Sequence, residues 1–358
     1  MTRPMFAAAS TPIGFVNFFE HIMPIEKAKK RYYLKGSSGS GKSTFMKKIA
    51  AEFESAGFDT EQFHCANDAV SLDAISVGSL GLSIIDATTP HASDPEIPVV
   101  IDRIVDFYKF INEIRITKHV NEIKSLLLQK KLVNEQVKDY FAALGKVYLA
   151  ERTACEAALI RPLIKKLACE FIKSLNIGET MNYVGTDRKL FLRAVTPDGI
   201  ISFADRLFNG CIVYGLFDET GTDIFLSELR DEANARGIHT ESFYCPFAPG
   251  RLEYLYLPEI ETAFAMTGGR FGYKGEVDKK IDIGCCINAG ILHPDRERDN
   301  GLLDSMLNVT IDLMKSSRSF HNRIEEIYTS AIDFEGINIM TGEILQEILP
   351  KFVISTNK

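Results

Sequence analysis

The sequence predicts an α/β protein with two similar domains that have mainly parallel sheets, together with helical additions. The chain has 358 residues, which is more than one hydrophobic core usually organises. Short β-prone runs alternate with segments of helical apolar spacing, the pattern of α/β domains. Stretches between residues 11 and 72 recur later in the chain at a nearly constant offset, which indicates duplication of one unit.

A glycine-rich loop between a strand and a helix is the clearest motif. The stretch "KGSSGSGKST" (35–44) satisfies the pattern G-x-x-x-x-G-K-[ST]. It follows the β-prone run "RYYL" (31–34) and precedes a run with Phe45, Ile49 and Phe53 on one helix face. This order of strand, loop and helix supports a phosphate-binding loop, or P-loop. We therefore predict that the loop binds ATP.

The residue types in the loop suit phosphate binding for physical reasons. Glycines let the backbone bend tightly and turn its N–H groups inward, and the helix N-terminus adds partial positive charge. Lys42 would reach the β- and γ-phosphates and act as a catalytic group. The predicted binding set is Gly36, Ser37, Ser38, Gly39, Ser40, Gly41, Lys42, Ser43 and Thr44.

A Mg²⁺ ion beside the nucleotide would need two protein anchors. The Ser43 hydroxyl is the first. The apolar run 80–85 ends at Asp86, which is the predicted second anchor and a catalytic residue. Residue 87 is alanine, whereas many ATP-hydrolysing P-loop proteins carry a glutamate there, so another group must position an attacking water. ATP and Mg²⁺ are thus the predicted cofactors.

Other acidic and histidine residues are weaker candidates. The run 59–68 predicts another strand, and Asp68 at its end is a candidate base or acceptor ligand for a small-molecule kinase. Asp73 is a second candidate for this role, and loop capping is the structural alternative. We expect His64 to be structural, and His91 is a candidate to face the site.

The second half repeats the first without an intact loop. A shift of 180 residues places Gly41 on Gly221, and a shift of 185 matches "TPIGFVNF" (11–18) to "TPDGIISF" (196–203). We expect both Thr-Pro segments to begin helices. In the second loop Thr222 replaces Lys42, and Asp218, Glu219 and Asp223 would repel a polyphosphate. Outside that loop, Met266 replaces Asp86. We therefore predict one nucleotide per chain.

Together these motifs resemble those of the uncharacterised bacterial tandem P-loop ATPases. The resemblance covers most of the chain, and it depends on "TPDG" (196–199), "GSSGSGKST" (36–44), "FHC" (63–65) and "IIDATTPH" (84–91). It implies tandem P-loop NTPase-type three-layer domains that bind nucleotide, and it implies no physiological substrate. Members of that family commonly carry a working loop in both halves, and this chain departs from the pattern in its second half.

The expected domain boundaries follow from the motifs and from a helical region. Residues 1–111 are the predicted P-loop domain, 112–185 a helical insertion or cap, and 186–358 a degenerate second domain with C-terminal helices. Residues 112–177 have helical apolar spacing that predicts two or three long helices. The charges of this region form either a solvated face or a functional surface, which would bind a protein partner or act as a lid.

Composition and charge narrow the class of protein. Hydrophobic residues make up 46% and charged residues 25% of the chain, as in ordinary globular proteins. The net charge of −7 argues against nucleic acid or an anionic membrane as a partner. No apolar run reaches the roughly 18 residues of a membrane span, and the seven cysteines form no C-x-x-C pair. We therefore expect a cytoplasmic protein with reduced thiols.

The favoured function is a slow Mg²⁺-dependent ATPase that couples nucleotide state to a partner or to the helical cap. One alternative is a small-molecule kinase that uses Asp68 near the acceptor, which the missing glutamate after Asp86 favours. The other is a non-catalytic nucleotide-sensing scaffold, which the lost second loop favours. No N/T-K-x-D base-reading motif is present, which argues against GTP. The sequence identifies no substrate, protein partner or oligomeric state.

Overall fold

The computed structural model describes residues 2–89, 93–175, 183–217, 221–291 and 296–353. These residues form an α/β chain with two six-stranded sheets. The strands of the first sheet are β1 (Thr2–Met5), β4 (Lys30–Lys35), β5 (Thr60–His64), β6 (Leu72–Val77), β7 (Leu82–Asp86) and β8 (Asp102–Asp106). Those of the second are β9 (Asp187–Leu190), β12 (Ile212–Leu216), β13 (Thr240–Cys245), β14 (Ala248–Leu257), β15 (Thr262–Met266) and β16 (Lys279–Ile281).

The two sheets have the same strand order and the same strand directions. The orders are β1-β5-β6-β7-β4-β8 and β9-β13-β14-β15-β12-β16. Among the described strands, each sheet has three parallel pairs and two antiparallel pairs, the latter on either side of β6 or β14. The general α/β class with mostly parallel strands is therefore confirmed, and the shared topology is that expected of a duplicated unit.

The two Thr-Pro segments form β-hairpins, so the prediction that they begin helices was wrong. Strand β2 (Ala8–Thr11) pairs with β3 (Gly14–Asn17), and β10 (Arg193–Thr196) pairs with β11 (Gly199–Ser202). In each turn the threonine hydroxyl accepts from the N–H two residues later and donates to the glycine carbonyl. Both glycines have φ near +110°, which closes a turn and cannot continue a helix.

Long helices follow each sheet. Those after the first sheet lie within residues 112–177, where the sequence predicts them. The helices are α1 (Lys42–Ser55), α2 (Glu113–Thr117), α3 (Val120–Glu156), α4 (Arg161–Ser174), α5 (Ala204–Leu207), α6 (Thr222–Ala235), α7 (Arg296–Thr329) and α8 (Phe334–Val353). The longest two, α3 and α7, pack along each other. Among the described helices, none has the length and apolar character needed to cross a membrane.

The helices that follow each sheet pack onto the opposite half of the molecule. Helix α4 follows the first sheet, yet its Ile164 and Ile172 share a buried core with α6 and the second sheet. Helix α8 follows the second sheet, yet its Ile337 and Ile344 are buried with Phe45 of α1 and the first sheet. Each sheet is thus completed by a helix from the other half, so packing crosses the predicted boundaries at residues 112 and 186.

The remaining faces of the two sheets share one central core. Alternate residues of a strand point to opposite faces, and Tyr32 and Leu34 of β4 accordingly pack towards α1. Tyr33, between them, lies in a cluster that also holds Phe243 of the second sheet and residues of both hairpins. In place of the second helical layer of a three-layer domain, each sheet therefore faces the hairpins, short helical turns and the opposite sheet.

A network of four charged residues joins the edges of the two sheets. Arg188 of β9 donates to Glu61 at 2.6 and 2.7 Å and to Glu241 at 3.1 Å. Arg3 of β1 donates to the same two carboxylates at 2.8 and 2.5 Å. Burial opposes ionisation of Glu61, but Arg188 and Arg3 outweigh it and lower the pKa of Glu61 to about 2. The network therefore holds the two halves together as a charged set.

Candidate functional site

The glycine-rich loop lies at the carboxyl end of β4, where the sheet gives way to α1. Strands β4 and β7 are parallel neighbours, with Leu34 opposite Asp86, so both strands end at the same edge of the sheet. Helix α1 begins at Lys42, and Gly41 precedes it with φ +85°. The loop therefore leads directly into a helix N-terminus, the end of a helix that favours anions.

The loop is tightly packed at Gly36 and contains two buried hydroxyls without partners in the described part of the chain. Gly36 has no space for a side chain, because a Cβ there would lie 2.7 Å from the Cβ of Phe107. The buried hydroxyls of Ser37 and Ser40 meet no hydrogen-bond partner among the residues that the structure describes. Buried polar atoms without partners are costly, so these two hydroxyls suit an added oxygen-rich ligand.

Lys42 is buried between loop carbonyls and a carboxylate. Its Nζ donates to the carbonyls of Gly36 at 2.8 Å and Ser37 at 2.9 Å, and it lies 3.5 Å from Asp86 Oδ2. Burial lowers the pKa of Lys42, and the carboxylate of Asp86 opposes that shift. The structure therefore brings together two of the three residues that the sequence predicts to be catalytic, Lys42 at the start of α1 and Asp86 at the end of β7.

The two predicted metal anchors are held by backbone groups near the loop. The Ser43 hydroxyl accepts from the N–H of Leu72 at 3.0 Å, at the start of β6. Asp86 Oδ1 accepts from the N–H of Thr88 at 2.9 Å, and the Thr88 hydroxyl donates to the carbonyl of Gly36 at 3.1 Å. One oxygen of Asp86 is thus fixed by its own turn, while the other faces Lys42.

The remaining candidates, Asp68, Asp73 and Thr44, have surroundings other than the Lys42–Asp86 pair. Asp68 caps the turn after β5, where its carboxylate accepts from the N–H of Val70 at 3.2 Å and from the hydroxyl of Ser71 at 2.6 Å. These are the contacts of the loop-capping alternative. Asp73 is buried within β6, and the side chain of Thr44 is exposed on the first turn of α1.

His64 has the structural surroundings expected of it. Its Nδ1 lies 2.7 Å from the carbonyl oxygen of Ala69, and its ring packs on that of Phe203 with centroids 4.6 Å apart. Burial lowers the pKa of His64, so the ring is neutral near pH 7. The predicted positions that lie outside the described residues are His91, Asp218 and Glu219.

Helix α7 supplies site residues that sequence reasoning missed. His321, Glu325 and Thr329 are spaced four apart, which places them on one face of the helix over the loop. The Ser38 hydroxyl lies 3.2 Å from His321 Nε2, and the Thr329 hydroxyl donates to the carbonyl of Gly39 at 3.4 Å. The spacing was visible in the sequence, but nothing local indicated that this face of α7 covers a loop so far away in the chain.

The groups that face the loop from α3 and α7 are electrostatically perturbed. Burial lowers the pKa of His321 to about 4, and Lys130 adds to the shift with its Nζ 2.8 Å from His321 Nδ1. Burial raises the pKa of Glu325, Asp68 raises it further, and Lys42 opposes the shift. At neutral pH the loop therefore faces a neutral imidazole and a carboxylate of increased basicity.

The corresponding loop of the second half leads into α6 with different chemistry. Gly221 keeps the φ of +85° that Gly41 has in the first half. Thr222 is buried where Lys42 stands in the first half. Asp223 pairs with Arg251 at 3.3 Å, and β15 ends at Met266. The backbone path at the helix start is thus retained without the lysine and carboxylate of the first site.

No protein-family model, no curated protein and no solved structure shows significant similarity to this chain. The chemistry of the protein must therefore be inferred from the loop at the end of β4 and from the residues around it.

Proposed function

We propose that the chain is a P-loop NTPase-type protein, akin to the tandem P-loop ATPases, that binds Mg·ATP at residues 36–44 and hydrolyses it slowly. The supporting observation is that Lys42, the first residue of the helix that follows β4, lies 3.5 Å from Asp86 at the end of the parallel neighbouring strand β7. The glycine loop that joins one of these strands to α1 has the sequence and the strand–loop–helix setting of a nucleotide phosphate site.

Each part of the loop has a role in this proposal. The loop and the first turn of α1 bind the phosphates, and Lys42 neutralises charge that develops on the γ-phosphate. The hydroxyls of Ser37 and Ser40 offer further hydrogen bonds. Ser43 and Asp86 would hold Mg²⁺, which supplies positive charge to the phosphate oxygens when bound.

Coupling of nucleotide state to the helical region is part of the proposal. Ser38 and Gly39, in the middle of the loop, contact His321 and Thr329 of α7. A change of loop conformation would therefore be transmitted to α7 and to α3, which packs along it. Binding of a protein partner to this helical region stays a prediction.

Substitution of Lys42 tests the proposal most directly. Lys42→Ala removes the buried ammonium, and loss of one preorganised charge at such a site costs about 100-fold or more in turnover. Phosphate release from ATP should fall accordingly, while circular dichroism stays unchanged. The matched control is Lys47→Ala, an exposed lysine of the same helix, which should retain activity. Phosphate release at the parental rate in Lys42→Ala would contradict the assignment.

The two alternatives predict different outcomes in the same assay. The kinase alternative predicts turnover only with an added acceptor and its loss in Asp68→Asn. The carboxylate of Asp68 is occupied by its own turn, so this alternative has less support. The scaffold alternative predicts ATP binding with no phosphate release. Phosphate release without any acceptor would favour the hydrolase over both.

A further inference from the structure

Strand β7 brings no second carboxylate to the loop. The residue after Asp86 is Ala87, which is buried and whose N–H donates to the carbonyl of Leu34 at 3.0 Å. Hydrolysis of ATP requires a group that orients the attacking water and accepts its proton. That group must reach the loop from another element.

A carboxylate reaches the loop from α7, at the far end of the sequence. A Cβ built on Gly39 would lie 2.8 Å from both the Cγ and the carbonyl oxygen of Glu325. One turn to either side, His321 contacts Ser38 and Thr329 donates to Gly39. These contacts hold α7 against the loop in one register and place Glu325 over its middle.

The second half offers an internal comparison. Each half has an isolated β-bridge at a matching place. Ile332, three residues after α7, pairs with Ile111, and Leu159, three residues after α3, pairs with Ile287. Seven residues before Ile332 stands Glu325, and seven before Leu159 stands Arg152. Arg152 reaches the end of β15, with Nη2 3.8 Å from Met266 Sδ. In the second half the side chain at this helical position thus reaches the strand end next to the loop. In the half whose loop is intact, the residue at this position is a carboxylate that lies against Gly39.

We propose that Glu325 is the catalytic carboxylate that orients and deprotonates the attacking water, so that the second half completes the site of the first. This inference rests on the proposed ATPase function. The water oxygen bonds to the γ-phosphorus, the bond from that phosphorus to the β–γ bridging oxygen breaks, and its electron pair leaves with ADP. The water proton passes to Glu325 and then to the released phosphate.

The charged surroundings of Glu325 suit a base. Lys42 faces it from α1 and Asp68 from the turn after β5. His321, one turn earlier on α7, is neutral near pH 7, and Lys130 of α3 contacts that imidazole. Burial and Asp68 raise the pKa of Glu325, which brings its basicity nearer to the working pH, where a general base is most efficient.

The decisive variant is Glu325→Gln, with Glu326→Gln as the matched control on the exposed side of the same turn. General bases contribute about 100- to 10,000-fold to rates. We expect kcat of Glu325→Gln to fall by about 100-fold or more, while KM and the calorimetric affinity for Mg·ATP stay within about threefold of the parent. Nucleotide recovered after incubation should be ATP in this variant and ADP in the parent and in Glu326→Gln.

The pH dependence provides a second measurement. Glu325 acts as a base only when ionised, so kcat of the parent should rise with pH through a pKa above the ordinary glutamate value of about 4.3. In Glu325→Gln this rise of kcat with pH, the acidic limb of the pH profile, should be absent. Glu325→Asp keeps a carboxylate on a shorter stem, so it should retain the limb at a reduced rate, about tenfold below the parent, even if the glutamine variant folds poorly.

The outcomes separate this inference from the proposed function. Parental kcat in Glu325→Gln, together with inactivity of Lys42→Ala, would overturn the role of Glu325 and leave the ATPase standing. An equal loss of affinity and turnover would also overturn it, because Glu325 would then only support the loop. A parent protein that neither binds nor hydrolyses ATP would overturn both.

Discussion

Four charged residues at the edges of the two sheets depend on one another. Arg3 and Arg188 each contact both Glu61 and Glu241, and all four side chains are mostly buried. Removing one member leaves an opposite charge buried without its full complement, which typically costs 3 to 5 kcal/mol, in order-of-magnitude terms. The network therefore makes the contact between the two halves sensitive to a single substitution and to pH.

Glu61→Gln should reduce the free energy of unfolding by about 3 kcal/mol at neutral pH. The pKa of Glu61 is lowered to about 2 in the folded protein, whereas an unfolded glutamate titrates near 4.3, roughly. Its stabilisation is therefore complete above that unfolded value and is lost as pH falls towards 2. Denaturant unfolding at a series of pH values should show a flatter acid decline in Glu61→Gln than in the parent.

The control for this measurement is Glu52→Gln, an exposed glutamate of α1. Its unfolding free energy should follow the parental pH profile closely. If stability declined equally steeply with acid in Glu61→Gln and in the parent, the titration of Glu61 would not be the cause of the pH dependence.

At the scale of elements, each half lends a helix to the sheet of the other half, and this packing determines which parts of the chain stabilise one another. Helix α8 closes the core above α1, although the second sheet lies between them in the sequence. Helix α4 closes the core above α6 in the same way. Truncation or destabilisation of α8 should therefore lower the local stability of the half that carries the glycine loop and α1 before that of the other half.

Ile344→Ala should lower the free energy of unfolding by about 2 to 5 kcal/mol, because it leaves a cavity in a packed core. Ile344 is 3% exposed, whereas Ile339 on the same helix is 59% exposed, so Ile339→Ala should cost less than about 0.5 kcal/mol. Hydrogen exchange should become faster in α1 before α6 in the Ile344 variant. Faster exchange confined to α6 would contradict the exchanged packing.

At the scale of the whole molecule, two halves of one topology have different chemistry at their loops. The first combines Lys42 with Asp86. The second buries Thr222 at the lysine position and pairs Asp223 with Arg251. In our proposal the second half contributes to the active site through α7 and does not bind a nucleotide of its own.

We therefore expect one nucleotide per chain. Burying a polyphosphate beside a carboxylate without a lysine would cost several kcal/mol, by order of magnitude. Calorimetric titration with a non-hydrolysable ATP analogue should saturate near one equivalent in the parent and near zero in Lys42→Ala. Two equivalents in the parent, or one that survives in Lys42→Ala, would show that the second half binds nucleotide.

The features that the sequence by itself determined are those carried by neighbouring residues. The run 31–55 predicts a strand, a glycine loop and a helix, and the structure has β4, the loop and α1 there. Asp86 ends an apolar strand as expected. The Thr-Pro segments were misjudged because threonine and proline suit both a helix start and a turn, and the choice depended on the positive φ of Gly14 and Gly199.

Only the tertiary structure decided which helix covers which sheet and which side chains reach the loop. Apolar spacing shows that α7 and α8 each have a buried face, but it carries no information about the partner of that face. The partners lie hundreds of residues away, and their pairing depends on the shape of the whole core. Glu325 and His321 could therefore not be assigned to the loop of residues 36–44 until the fold brought α7 against Gly39.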